Sequence, residues 1–142
     1  MFVKNTKKLT LKAAKLMGDR ALEKCEEIGK SFVFTVVDAG GNVLYIQRME
    51  DAFFTSVGIA TDKAFTAAAV KKGTHVLTSI VKPENDLFGL NLTNNGRIIT
   101  FGGGLPIIVD GEVIGGVGVS GGSVAEDMAV AEAAIDIFEK SK

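Results

Sequence analysis

The chain has 142 residues, 46% hydrophobic and 23% charged, with a net charge of −1 and an isoelectric point near 5.8. That length suits one domain over residues 1–142, and the balance of charge offers no basic field for nucleic acid and no polybasic stretch for a lipid surface. No apolar run approaches the roughly 20 residues of a membrane span, and a single cysteine, Cys25, excludes an internal disulfide or a cysteine metal cluster. A mean hydropathy of +0.27 is high for a small chain, so a homo-oligomer is expected to hide the excess. No secretory leader is evident, which makes the cytoplasm the expected compartment.

From Thr10 to Ile28, Leu11, Ala14, Gly18, Ala21, Leu22, Cys25 and Ile28 recur at spacings of three and four, which predicts an amphipathic helix closed by Gly29. Cys25 falls on its apolar stripe and reads as an inert buried thiol. Phe32–Val37 and Val43–Met49 are β-rich runs separated by the reversal Asp38–Asn42, a β-hairpin with Arg48 at the end of its second strand. A helix follows, with Ser56 as its expected N-cap, alanines at 60, 64, 67, 68 and 69, and Gly73 as its stop. That alanine face suits close approach to a sheet or to another helix. A shorter helix is expected over Thr74–Val81, then a loop rich in Pro, Asn, Asp and Gly.

Three further strands are expected at Arg97–Phe101, Leu105–Val109 and Glu112–Val119, the last two joined by the hairpin signal Asp110–Gly111. The final helix starts at Ser123, whose spacing to Glu126 is that of a capping box, and runs to the C-terminus. The order α-β-β-α-α-β-β-β-α, with hairpins and no βαβ crossover, predicts an α/β (α+β) fold. It is a three-layer α/β/α sandwich around a five-stranded antiparallel sheet.

The run "FGGGLPIIVDGEVIGGVGVSGGSVAEDMA" poses the main functional question. A phosphate cradle needs glycines between a strand and a helix N-terminus, whereas Gly102, Gly103 and Gly104 lead into a strand; only "VSGGSVAED" has that layout, and Glu126 and Asp127 place negative charge in its first turn. The triple glycine therefore marks either a close approach of backbone to a flat ligand or a bulge. His75 is the only histidine, a surface residue or else a haem ligand or general base. Met49, Met128 and Tyr45 are the other soft donors. Arg48, Lys63 and Arg97 adjoin apolar walls and could hold a ligand's carboxylate or propionate, or form surface salt bridges. Asp38 in its reversal could cap its own backbone.

Taken together, "VVDAGGNVLYIQRM", "IATDKAFTAAA", "TNNGRIITFGGGLPIIVDGEVIGGVGVSGG" and "AEDMAVAEAAI" resemble the GlcG/HbpS family, which is also the C-terminal domain of PduO-type cobalamin adenosyltransferases. The resemblance implies a profilin-like fold, compact homo-oligomers and, in members whose ligand is known, haem or a related tetrapyrrole. Its matching positions are Asp38, Gly40, Gly41, Arg48, Met49, Asp62, Lys63, Gly102 to Gly104, Gly121, Gly122, Glu126 and Asp127, expected to line one pocket. The first helix has no histidine, so His75 is the one imidazole left for a haem iron. Two functions follow. One is a binding module for haem, another tetrapyrrole or a small carboxylate, with Asp38, Arg48, Met49, Lys63, Arg97, Gly102–Gly104 and Glu126 as ligand contacts. The other is an enzyme or accessory protein of glycolate, diol or glycerol metabolism, with Lys63 or Glu126 as acid/base and a metabolic enzyme complex as its expected partner.

Overall fold

A computed structural model describes residues 1–140. The chain forms α1 (Leu11–Ile28), β1 (Val33–Asp38), β2 (Val43–Arg48), α2 (Thr55–Val70), α3 (Leu77–Ile80), β3 (Gly104–Val109), β4 (Glu112–Ser120) and α4 (Val124–Lys140). Helix α1 begins where the Thr10 hydroxyl accepts from the Ala13 N–H, and ends at Gly29, whose N–H returns to the Cys25 carbonyl. The expected end of the last helix at residue 142 lies outside the described residues.

The sheet runs β2-β1-β4-β3, antiparallel throughout. Successive side chains point to opposite faces. Phe34, Val36, Val117 and Val119 pack with Met17, Ala21 and Val130 of α1 and α4, while Val33 and Val37 pack with Ala60, Ala64 and Ala68 of α2. Helices therefore cover both faces, with α2 alone on one.

The alanine face of α2 meets the sheet, and the glycines of β4 are its seat. A Cβ at Gly118 would strike the Ala60 carbonyl oxygen, and one at Gly116 the Ala64 carbonyl oxygen. This approach of helix backbone to strand backbone explains Gly116 and Gly118, whereas a Cβ at Gly115 would meet the Val37 carbonyl and one at Gly121 the Ser31 carbonyl.

Several expected elements are corrected. The sheet has four strands, not five, and the order is α-β-β-α-α-β-β-α, because residues 97–101 form no ladder. Their backbone groups are taken by threonines instead. The Thr66 hydroxyl accepts from Ile99 N–H (3.0 Å) and lies 2.9 Å from the Arg97 carbonyl, and Thr78 donates to the Thr100 carbonyl (2.6 Å). Ser56 is not the N-cap of α2: Phe54 holds that position without a side-chain bond, and the Ser56 hydroxyl pairs with Ser120 at 3.0 Å. The same helix stops at Lys71 in the left-handed region (φ 60°), two residues before Gly73. Thr74–Val81 divides into a 3-10 turn, Thr74–Val76, and the single turn of α3. The β3–β4 reversal at Asp110–Gly111 has both residues left-handed (φ 49° and 78°), as the hairpin signal requires. No helix among the described residues is long and apolar enough to cross a membrane.

Candidate functional site

Lys63 lies on the buried stripe of α2 with Ala60, Ala64 and Ala67, and Asp127 on that of α4 with Val130, Ala131 and Ala134. Folding brings the two together. The Lys63 ammonium donates to Asp127 Oδ2 at 3.0 Å and to the Val119 carbonyl at 2.8 Å, and the side chains are 1% and 5% exposed. Asp127 Oδ1 accepts from the Gly122 N–H at 3.0 Å, and the Phe101 ring sits over the ammonium, 5.0 Å from its centroid. Burial pushes the lysine below its ordinary range and the carboxyl above its own, while each partner's charge opposes the shift.

This arrangement also explains Gly103. In an antiparallel ladder, opposed residues of a bonded pair exchange both hydrogen bonds. Val119 donates its N–H to the Gly103 carbonyl at 2.9 Å, yet its own carbonyl receives Lys63 rather than Gly103 N–H. Gly103, at φ +121°, turns the chain away, and the lysine supplies the missing donor. A Cβ there would come within 2.7 Å of Lys63 Nζ; at Gly102 it would meet Val124 and Met128, and at Gly104 the Lys63 carbonyl and Thr74. Within one chain the triple glycine is seated against the protein's own atoms.

The remaining expected residues occupy separate places. Arg97 donates from Nε to Asp62 Oδ1 (2.9 Å) and stacks on the Phe65 ring, 3.8 Å from its centroid. Asp38 accepts from Gly40 N–H and Asn42 N–H at 2.9 Å each; burial works upward on its carboxyl, but these bonds prevail and hold it below the usual range. Arg48 is exposed, with one contact to the Glu50 carbonyl at 3.3 Å. Met49 packs into the core under α1 and α4, its sulfur accepting from the Phe32 N–H at 3.4 Å. His75 is exposed on the 3-10 turn. Lys63, the glycines and Asp127 thus gather at one point, Arg97 pairs with Asp62 next to Lys63 on α2, Asp38, Arg48 and Met49 have partners of their own elsewhere, and His75 follows Thr74, whose hydroxyl accepts from the Gly104 N–H at 3.0 Å.

Glu126 takes part in the expected capping box: its carboxylate accepts from Ser123 N–H (2.9 Å) while the Ser123 hydroxyl accepts from Glu126 N–H (3.2 Å). The Lys30 ammonium at 2.8 Å, then the Ser123 N–H, pull its carboxyl down to about 2 from an ordinary 4.5. A folded value below the unfolded one means stability that is present above pH 4.5 and lost as pH falls toward 2. Denaturant midpoints measured between pH 5 and 2 are expected to fall, and Glu126→Gln is expected to flatten part of that limb.

The donor set can be compared with the chemistry of haem iron, which accepts nitrogen or sulfur ligands. Cys25 is buried with its thiol pushed up to about 12 by desolvation, and the Met49 sulfur is turned into the core. His75 has an accessible imidazole, so the residues fit such a group at the surface of the chain rather than within it. A surface groove of about 570 Å³ between α1 and α4 is lined by none of the residues put forward from the sequence. No group of three or more His, Cys, Asp or Glu among the described residues is placed to hold a bare metal ion.

Comparison with known proteins agrees with this architecture. The chain is 52% identical over 132 residues to an uncharacterised 15.0 kDa protein from the dhaT-dhaS intergenic region of Citrobacter freundii, covering 93% of each. It is 44% identical over 115 residues to the corrinoid adenosyltransferase PduO of the same organism, covering 81% of this chain and about a third (34%) of that longer protein. Among solved structures, a complex of PduOC with haem matches with a TM-score of 0.88 and 39% identity, over 91% of this chain and 94% of that one. A family model described as haem degrading protein HbpS-like matches residues 9–136, and the chain belongs to this HbpS-like family.

Proposed function

We propose that the chain is a small ligand-binding protein for haem or a related tetrapyrrole, which it holds at its surface where a second copy closes the site. The observation that carries this reading is the fold shared over nine-tenths of its length with a relative solved in complex with haem. The residues of this chain support a surface site. His75 is accessible, Arg48 has a single carbonyl partner, and Arg97 retains 37% side-chain exposure beside its carboxylate. Such guanidinium groups suit the propionates of a tetrapyrrole. Phe53, Phe54 and Phe88 are 70%, 85% and 64% exposed, apolar area that a flat ligand or a neighbouring chain would cover.

Titration of the purified protein with hemin is expected to shift the Soret band saturably, and His75→Ala to weaken the shift. A band that stays that of free hemin at every ratio sinks the proposal. If binding persists unchanged in His75→Ala, Arg48→Ala and Arg97→Ala, these residues are not its contacts.

A second reading rests on the similarity to one third of a corrinoid adenosyltransferase. Here the chain is an accessory protein of a cofactor-dependent enzyme of diol or glycerol use, without haem. Lys63 neutralised by Asp127 and Glu126 paired with Lys30 favour accessory binding over turnover. Co-purification with such an enzyme, together with no response to hemin, would select this reading.

A further inference from the structure

The face of β2 that looks toward α2 is left open. Opposed residues of the β1–β2 ladder share a face, so Arg48, Ile46 and Val43 lie on the side of Val33, Thr35 and Val37, which α2 covers. Tyr45 and Gln47 point the other way and pack against Gly18 of α1. Helix α2 sits over β1 and β4 without reaching across β2: Val43 and Ile46 are 50% and 40% exposed, and Arg48 is exposed. The flank of α2 beside them carries Val57, Thr61 and Phe65 at spacings of four. Thr61 bonds Thr35 at 3.2 Å, and the Phe65 ring lies against Gly41 of the hairpin. The result is a strip about 17 Å long, floored by β2 and walled by α2.

A guanidinium stands at the Phe65 end. Thr66 holds the Arg97 carbonyl, and the Arg97 side chain crosses the outer side of α2 to Asp62 Oδ1 at 2.9 Å and to the Phe65 ring, 3.8 Å from its centroid. Only Nε is used in this pairing: among the described residues neither terminal nitrogen has a hydrogen-bond partner. The fork is thus fixed in plane and direction while its two-pronged edge is left over. The chain delivers it through three successive residues at positive φ, Asn94, Asn95 and Gly96, at 52°, 57° and 75°. Left-handed residues ordinarily occur singly, and strain of this kind gathers where a side chain has to be held in one place.

We propose that this strip binds a small molecule with an apolar body and a carboxylate, the body on Val43 and Ile46 against Phe65, the carboxylate across the two terminal nitrogens of Arg97. A planar fork and a carboxylate match as a bidentate pair. Asp62 already offsets the charge of this guanidinium, so a bare anion is held weakly and the apolar floor has to contribute. That requirement selects an acid with an apolar body over a small polar one. The site rests on the reading of the chain as a ligand-binding protein, but it needs neither iron nor His75. Its carboxylate belongs either to a tetrapyrrole propionate or to a smaller aromatic acid.

The test follows the fluorescence of 2-naphthoate, with the uncharged 2-naphthamide as its control. The parent is expected to bind naphthoate saturably and about tenfold more tightly than the amide. Arg97→Gln is expected to weaken naphthoate about tenfold and leave the amide unchanged, Arg97→Lys to recover only part of that loss because an ammonium lacks the fork, and Ile46→Glu to weaken both probes. Displacement of naphthoate by protoporphyrin IX but not by its dimethyl ester assigns the carboxylate to a propionate; displacement by neither assigns it to a smaller acid. The proposal is overturned if the amide binds as tightly as naphthoate, if Arg97→Gln changes nothing, or if the parent binds neither probe. In that last case a lower sedimenting mass of Ile46→Glu names a second copy as what covers the strip. Hemin keeps the two readings apart: naphthoate binding without a hemin response sinks the haem reading alone, and a hemin response without naphthoate binding sinks this site alone.

Discussion

Gly118→Ala is expected to destabilise the fold by about 3 kcal/mol, the upper part of the range for overpacking a filled core. The added methyl would lie against the carbonyl oxygen of Ala60 and within 2.6 Å of the Ala64 amide nitrogen, both backbone atoms of α2. A crowded side chain can change rotamer, but helix backbone cannot yield without moving the whole of α2 off β4. Gly58→Ala is the matched control, an exposed position inside the same helix with nothing within 4 Å of the new methyl. There alanine is expected to stabilise by about 0.5–1 kcal/mol through helix propensity. Chemical denaturation of the two variants decides the matter. A Gly118→Ala protein within about 1 kcal/mol of the parent would mean that α2 is not seated on β4 as described.

The same contact shows what could be read from the residues before the fold was known. The alanine stripe at 60, 64, 67 and 68 announced a close approach to a sheet or to another helix, whereas Gly116 and Gly118, which receive it, did not stand out from the glycine-rich run around them. That the stripe and these two glycines meet is a tertiary fact. The hairpin at Asp110–Gly111 and the capping box of Ser123 and Glu126 were legible because their chemistry is local. Residues 97–101 misled for the same reason in reverse: "RIITF" has strand composition, but its backbone partners are the hydroxyls of Thr66 and Thr78, far away in the chain.

For the candidate site the limit was pairing. Lys63 and Asp127 were both noted, but as residues lining a pocket rather than as each other's partner. A signal did exist. Lys63 interrupts an apolar stripe at helical spacing on α2, and Asp127 does the same on α4. Two opposite charges that are each forced into a core need one another, since a lone buried ion is far too costly. The placement of Arg48, His75 and the exposed phenylalanines carries no comparable signal, because an exposed side chain has no buried partner whose pattern would announce it.

Asp127→Leu is expected to cost about 3–5 kcal/mol, the range for breaking a buried ion pair by removing one partner. The substitution leaves the Lys63 ammonium buried with only the Val119 carbonyl, and it orphans the Gly122 N–H. Lys63→Met is expected to be costly for the complementary reason, since it strands the Asp127 carboxylate and the Val119 carbonyl. Both pKa directions say that burial disfavours the charged forms, so the pair persists through mutual attraction and hydrogen bonds. The double variant Lys63→Met/Asp127→Leu removes both charges and is expected to recover about 2 kcal/mol relative to the sum of the single losses. Full recovery is not expected, because Val119 and Gly122 still lack their partners. Unfolding free energies for the four proteins of this cycle measure the coupling, and strict additivity would show that the ion pair does not hold the strand end at Gly103. Hemin titration of the folded double variant then separates architecture from recognition: unchanged binding assigns Lys63 to the fold, and lost binding assigns it to the ligand.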